Sequence, residues 1–263
     1  MLDVDFEFFD PNPEVDFHGL KSLLRQLFDA DNQLFDLSEL ADMILAQPML
    51  GSTIKCEGME SDPYAFLSVL NLHEHRSKAV VETLRQYLLS KAGDAPSIKG
   101  VLASEQHQIG LLLTDRFINM PHQTVPPMYT MLFEEIQEAN AKNEPYQFTH
   151  YLIVSKTYTE VASKLDEEDD RPQKKKKAAV GKEEIFYFHP EDEVLAKHAV
   201  SSTPFDYDKQ GDEGSSDSKR AFHEMGVRPR GLMMLFEAGK MPEAVKAVGE
   251  YLGGEGESDT VNV

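Results

Sequence analysis

The chain opens on an alternation. Leu2, Val4, Phe6 and Phe8 are apolar, and Asp3, Asp5 and Glu7 between them are acidic. A period of two places the two sets on opposite faces of a strand. The period then changes. In DFHGLKSLLRQLFD, Phe17, Leu20, Leu24, Leu27 and Phe28 fall on one helical stripe, with Asp16 available as N-cap. DLSELADMILAQ repeats the pattern with Leu37, Leu40, Ile44 and Leu45. Asp36 and Glu39 there have capping-box spacing, and Pro48 ends the helix.

LGSTIKCEG and YAFLSVLNL read as two strands joined by the acidic turn MESDP. A helix from about Ser77 to Ser90 carries Val80, Val81, Leu84 and Leu88. IGLLL is a continuous apolar run, as in strands buried on both faces. Thr124 is placed to cap the next helix, and Pro126 and Pro127 fit its first turn. HYLIVSKTY, EEIFYF and GLMMLF read as strands, and MPEAVKAVGEYL as a short closing helix. Strands alternating with helices predict one α/β or α+β domain over residues 1–252. Two stretches break the pattern, at about 164–182 and 204–227, and with the tail 253–263 they hold too little apolar surface to offset their ordering entropy. These are predicted to be disordered.

Hydrophobic residues make up 41% of the 263, enough for a core of that extent, and the net charge is −20. Such a surface repels nucleic-acid phosphates and anionic lipid and attracts basic partners, so direct nucleic-acid or membrane binding is not expected. Cys56 is the one cysteine, which leaves neither an intramolecular disulfide nor a thiolate zinc cluster. The acidic start lacks a signal peptide's layout, and no apolar run approaches the roughly 20 residues of a membrane span. The expectation is a soluble protein of a reducing compartment.

LLLTDRFINMPHQTVPPMY, residues 111–129, has the outline of a catalytic loop. His122 suits a general base, and Asp115, Arg116 and Thr124 stand near it at the end of an apolar strand. No G-x-S-x-G elbow supplies a nucleophile, so the polar groups are read as loop packing. Phe117 and Ile118 are expected to anchor that loop to the core. His73 and His75 could form half of a metal site, but the zincin motif needs a His where Ser77 stands. Asp3, Asp5 and Glu7 could hold a cation, grip a basic partner, or simply keep an edge strand soluble. RPQKKKK places Lys174, Lys175, Lys176 and Lys177 beside the acidic run Asp166, Glu167, Glu168, Asp169 and Asp170. The lysines read as a nuclear-localisation signal, or else as half of a self-neutralising loop. No phosphate-binding glycine motif lies between a strand and a helix.

In order, VDFEFFDP, GLKSLLRQLF, GSTIKCEG, FLSVLNL, GLLLTDRFINMPHQTVPPMY, YLIVSKTY and EEIFYFHPEDEVLAKHA resemble the BCCIP family, and FYFHPEDE resembles its fungal members. The segment around Arg116 to Pro121 is the most specific part. The resemblance implies an α/β fold like that of GNAT acetyltransferases, a twisted mixed sheet flanked by helices, without a cofactor site. It implies no enzyme. It implies a nuclear protein shuttling to the cytoplasm, which chaperones a basic large-subunit ribosomal protein, works with nuclear transport factors and assists export, including that of a phosphoinositide kinase. Animal members are described as binding a cyclin-dependent-kinase inhibitor and a DNA-repair protein. On this reading Asp3, Asp5, Glu7 and the acids 166–170 are the candidate cargo contacts. The alternative is a GNAT-type acyltransferase with a degenerate acyl-CoA loop. The nearest match to [QR]-x-x-G-x-[GA], Arg228 to Met233, fails at its last position.

Overall fold

A computed structural model describes residues 5–47, 49–160, 184–209 and 227–253. Its centre is an open eight-stranded sheet. The strands are β1 (Glu7–Phe9), β2 (Ser52–Lys55), β3 (Ala65–Asn71), β4 (Ile109–Arg116), β5 (His150–Glu160), β6 (Ile185–Tyr187), β7 (Ser201–Phe205) and β8 (Val227–Glu237). The order is β1-β2-β3-β4-β5-β8-β7, with β6 pairing β5 off that path. Among the described strands β4 and β5 form the one parallel pair, and the other pairings are antiparallel. The fold is mixed α/β, with a mostly antiparallel sheet.

Helices cover both faces. On one lie α1 (Phe17–Phe28), α2 (Leu37–Leu45), α3 (Ala79–Lys91) and α4 (Pro96–Ala103). On the other lie α5 (Val125–Ala141), α6 (Pro190–His198) and α7 (Met241–Gly253). The central strands feed both cores by alternation. Leu111, Leu113, Leu152 and Val154 join the first, and Leu112 and Ile153 the second. This is why IGLLL shows no polar face.

The helix stripes agree with the pattern, but one cap does not. Asp36 accepts from the Ser38 and Glu39 amides, as its spacing predicts. Asp16 precedes α1 yet makes no side-chain cap. It is buried and pairs instead with Lys55 of β2 at 2.5 Å. A buried cation outcompetes a backbone amide for the carboxylate, because it has no water to turn to.

Three elements escaped the hydrophobic pattern. α4 buries only Ile98, Val101 and Leu102. α6 opens on the polar run Pro190-Glu191-Asp192. β7 is Ser-Ser-Thr-Pro-Phe at the sheet's edge, where proline is tolerated. The second predicted disordered stretch therefore begins too early at 204. Phe205 and Tyr207 are buried, and the Asp31 carboxylate accepts from the Asp208 and Lys209 amides. At its far end Val227 already belongs to β8. Residues 161–183, 210–226 and 254–263 lie outside the described residues.

β8 also settles the segment likened to an acyl-CoA loop. Arg228 to Met233 pair with β5 along one side, and Gly231 to Met233 pair with β7 along the other. No loop is there to cradle a pyrophosphate. Gly231 has a packing reason: a Cβ there would run into the Phe205 ring. That ring is held edge-on by Tyr87 and Tyr207, so it cannot simply swing aside. Gly231→Ala is expected to cost about 1–3 kcal/mol by overpacking, and Phe205→Leu in the same chain to recover part of it. Paired thermal melts check this, and additive losses in the double variant would contradict it.

Candidate functional site

The parallel ladder between β4 and β5 stops at Leu113 and Val154. Farther along β5, the same edge is taken by β6, opposite residues 157–159. The interval leaves Ser155 and Lys156 facing the end of β4. Alternation sends Asp115 and Lys156 toward α1, and Arg116 and Ser155 toward α6. The polar residues at the end of the apolar run thus project into two sides of one gap.

They meet a network there. Lys156 Nζ lies 2.7 Å from Asp115 Oδ2, and His189 Nε2 lies 3.1 Å from Asp115 Oδ1. The Arg116 amide donates to the same Oδ1 at 2.9 Å. Arg116 Nη2 donates to both oxygens of Glu191, at 2.8 and 3.0 Å. Ser155 Oγ donates to Asp192. Gln26 of α1 closes the network by donating to the Arg116 carbonyl at 2.9 Å, while its own carbonyl accepts from Lys156 at 3.3 Å. Asp115, Arg116, Ser155, Lys156, His189, Glu191 and Asp192 are all buried. Burial on this scale requires that the charges cancel, and Lys156 against Asp115 and Arg116 against Glu191 do so.

The two aspartates answer burial differently. Burial alone would raise Asp115, but the hydrogen bond from His189 and the charge of Lys156 outweigh it and hold the carboxyl below its usual range. For Asp192 burial dominates. The neighbouring Glu191 adds to it, and despite the opposing His189 and Ser155 the group is pushed up to about 7. Between about pH 4 and 7 the folded protein holds a proton that the unfolded chain has released. The Asp192 contribution to stability therefore falls as pH rises through that window and is flat above it. Asp192→Asn keeps an acceptor for Ser155 and removes the titration. Its melting temperature is expected to exceed wild type by at least roughly 2–4 °C at pH 8 and to differ little at pH 4. A gain that is the same at both pH values would contradict this assignment.

His189 on Asp115 has the form of an oriented acid–base pair. The candidate nucleophiles do not complete it. The Ser155 hydroxyl is committed to Asp192, and the Lys156 amine to Asp115 and Gln26. The loop reading is corrected in four respects. Asp115 and Arg116 belong to β4 itself. His122 lies beyond it on a 3₁₀ turn, His122–Thr124. The Thr124 hydroxyl donates back to the Pro121 carbonyl at 2.7 Å and does not cap α5. Phe117 and Ile118 are not anchors: they are 41% and 79% exposed.

Above the network opens a cleft of about 1270 Å³. Arg116, Lys156 and His189 form its floor, and Tyr64, Phe117 and Ile118 line it beside Asp5, Arg25, Cys56 and Glu57. Asp5 and Glu7 are exposed, as the alternation predicts, and Asp5 stands on this cleft. Asp3, Asp166, Glu167, Glu168, Asp169, Asp170 and Lys174 to Lys177 lie outside the described residues. His73 and His75 occupy the turn after β3 and so share no strand face. Among the described residues no third metal-ligating side chain joins them. No described helix is long and apolar enough to cross a membrane.

Sequence reasoning missed Lys156, His189, Glu191 and Asp192. A signal was present for three of them. His-Pro-Glu-Asp places proline at the first helical position and acids in the first turn, the mark of a helix start.

Comparison with known proteins agrees with the resemblance. The BCCIP family model matches residues 1–195. Protein bcp1 of Aspergillus fumigatus is 57% identical over 256 residues, covering 96% of this chain and 88% of that protein. Protein bcp1 of Schizosaccharomyces pombe is 46% identical over 242 residues, covering 89% and 84%. The crystal structure of BCP1 from Saccharomyces cerevisiae superposes with a TM-score of 0.64 at 27% identity, covering 97% of this chain and 93% of that one. With the family model matching residues 1–195 and with similarity to curated relatives along nearly its whole length, the chain belongs to the BCCIP family.

Proposed function

We propose that this protein is a non-enzymatic acidic chaperone and transport adaptor of the nucleus. It binds a basic large-subunit ribosomal protein before assembly, passes between nucleus and cytoplasm with nuclear transport factors, and assists export, including that of a phosphoinositide kinase. The observation that carries this reading is the charge of −20, from 46 acidic against 26 basic residues. An unassembled ribosomal protein exposes a face built to bind RNA phosphates. An acidic surface neutralises that face and keeps RNA away from it. The ion network supports the non-enzymatic part, since its cations and its serine are already engaged by its own carboxylates.

The test is kinetic. Association with a purified basic large-subunit ribosomal protein should slow steeply from 0.1 to 1 M salt, as the Debye length shrinks from roughly 10 to 3 Å, while dissociation changes less. A salt-insensitive association rate defeats electrostatic capture. Acetyl-CoA is the control ligand, because GNAT acetyltransferases share the plan of a sheet flanked by helices. Calorimetric titration with it should give no heat, and binding would favour the acyltransferase reading. For the lysine run, replacing Lys174 to Lys177 with alanine in a fluorescent fusion should abolish nuclear accumulation.

A further inference from the structure

We propose that the cleft beside Tyr64, Phe117 and Ile118 docks an extended basic segment of a partner protein, seating an apolar side chain between flanking lysines or arginines. This rests on the acidic-chaperone reading and assigns it a surface. Single exposed apolar residues are ordinary. Here Tyr64 is 36%, Phe117 41% and Ile118 79% exposed, and all three line one concavity. They are also held in place. The Phe117 amide donates to the Tyr64 carbonyl at 3.0 Å, and the Met120 amide donates to the Phe117 carbonyl at 2.9 Å. The Tyr64 and Phe117 rings meet edge to face at 5.7 Å. A backbone and ring pair so fixed lower the ordering cost at binding.

The floor and the rim select different parts of the occupant. Arg116 and Lys156 are neutralised by Glu191 and Asp115, so neither of these described cations is left uncommitted for an anionic ligand. An apolar group suits that position. At the rim Asp5 and Glu57 are exposed, with Asp29 nearby and Arg25 as the opposing cation. Glu60 and Asp62 continue the acidic turn that carries Glu57. The excess of carboxylates favours lysine or arginine on either side of the buried group. It disfavours a phosphate-bearing ligand, and a second copy of a chain carrying −20 would be repelled. At about 1270 Å³ the cleft exceeds the roughly 300–1,000 Å³ of ordinary small-ligand pockets, which suits an extended stretch of chain.

The probes are a fluorescein-labelled octapeptide, Lys-Arg-Lys-Leu-Phe-Lys-Arg-Lys, and its counterpart with Ser-Ser at the centre, titrated against the full chain. Wild type should bind the first at least tenfold more tightly. The Phe117→Ser/Ile118→Ser double variant should lose that preference with an unchanged melting temperature, since neither side chain is buried. The same variant should release a purified basic ribosomal protein at least tenfold faster. Equal binding of the two peptides by wild type overturns the apolar seat, as does a double variant that holds both ligands as wild type does. In those cases the acidic-chaperone reading stands if the ribosomal protein is still bound in a salt-dependent manner. Failure of wild type to bind any basic probe overturns both. A wild-type dimer in sedimentation that the double variant dissolves would assign the cleft to a second copy, against the proposal.

Discussion

Replacing Asp115 with alanine should destabilise the protein by about 3–5 kcal/mol, because the change leaves a buried lysine without its carboxylate. Asp115 is 2% exposed and Lys156 8%. Lys156 would keep only the Gln26 carbonyl, at 3.3 Å. His189 and the Arg116 amide would lose the oxygen they share. At the scale of this chain the loss lowers the melting temperature by roughly 10 °C. Asp115→Asn should cost less, since the amide keeps one acceptor. Lys156→Met added to Asp115→Ala should recover part of the loss by removing the stranded charge. Acid titration supplies a separate check. A carboxyl held below its usual range stabilises above the unfolded value near 3.9, and that contribution is lost as pH falls through the lower folded value. Wild type should therefore lose stability below about pH 4 more steeply than Asp115→Asn. Equal melting of wild type and Asp115→Ala at pH 7 would show that the network contributes nothing.

Much of the architecture could be read from periodicity, because burial imposes it. The stripes of α1 and α2 and the unbroken apolar run of β4 each have a single geometric explanation. The elements that escaped bury little apolar area or bury polar groups. α6 places Glu191 and Asp192 inside, and a pattern that scores apolar residues treats them as surface. β7 owes its place to pairing with β8 and to Phe205 packing over Gly231, neither of which its own composition reveals. The candidate site was half legible. Asp115 and Arg116 stood out as polar residues ending an apolar strand, but their partners come from 40 or more residues further along, and no spacing rule joins them. Phe117 and Ile118 failed in the opposite direction. Apolar character suggested anchoring, whereas the turn after β4 points both side chains outward. An aromatic–aliphatic pair held open at a cleft is as strong a sign of binding as of packing, and only exposure separates the two.

Lys55→Met should produce the second large effect, again about 3–5 kcal/mol, by stranding Asp16. Both side chains are completely buried, and their charged atoms are 2.5 Å apart. Lys55 Nζ also donates to the Met59 carbonyl at 2.6 Å and lies 5.6 Å from the centre of the Phe9 ring. Asp16 accepts from the Asn12 amide at 2.8 Å. One ion pair therefore joins the start of α1, the edge strand β1 and the β2–β3 turn. Asp16→Asn combined with Lys55→Met should be more stable than Lys55→Met alone, because the uncompensated carboxylate is gone. A double-mutant cycle by calorimetry reads the coupling directly, and additive losses would refute the pairing. The position of the pair gives the prediction a second readout. Cys56 and Glu57 follow Lys55 directly and line the cleft, and Met59 is tied to the lysine. Loss of Lys55 should loosen that turn before the rest of the chain unfolds. Amide exchange should therefore accelerate at residues 56–62 more than in α5, which packs on the opposite face of the sheet. Uniform acceleration across both regions would mean that the pair stabilises the domain as a whole and does not hold the turn in particular.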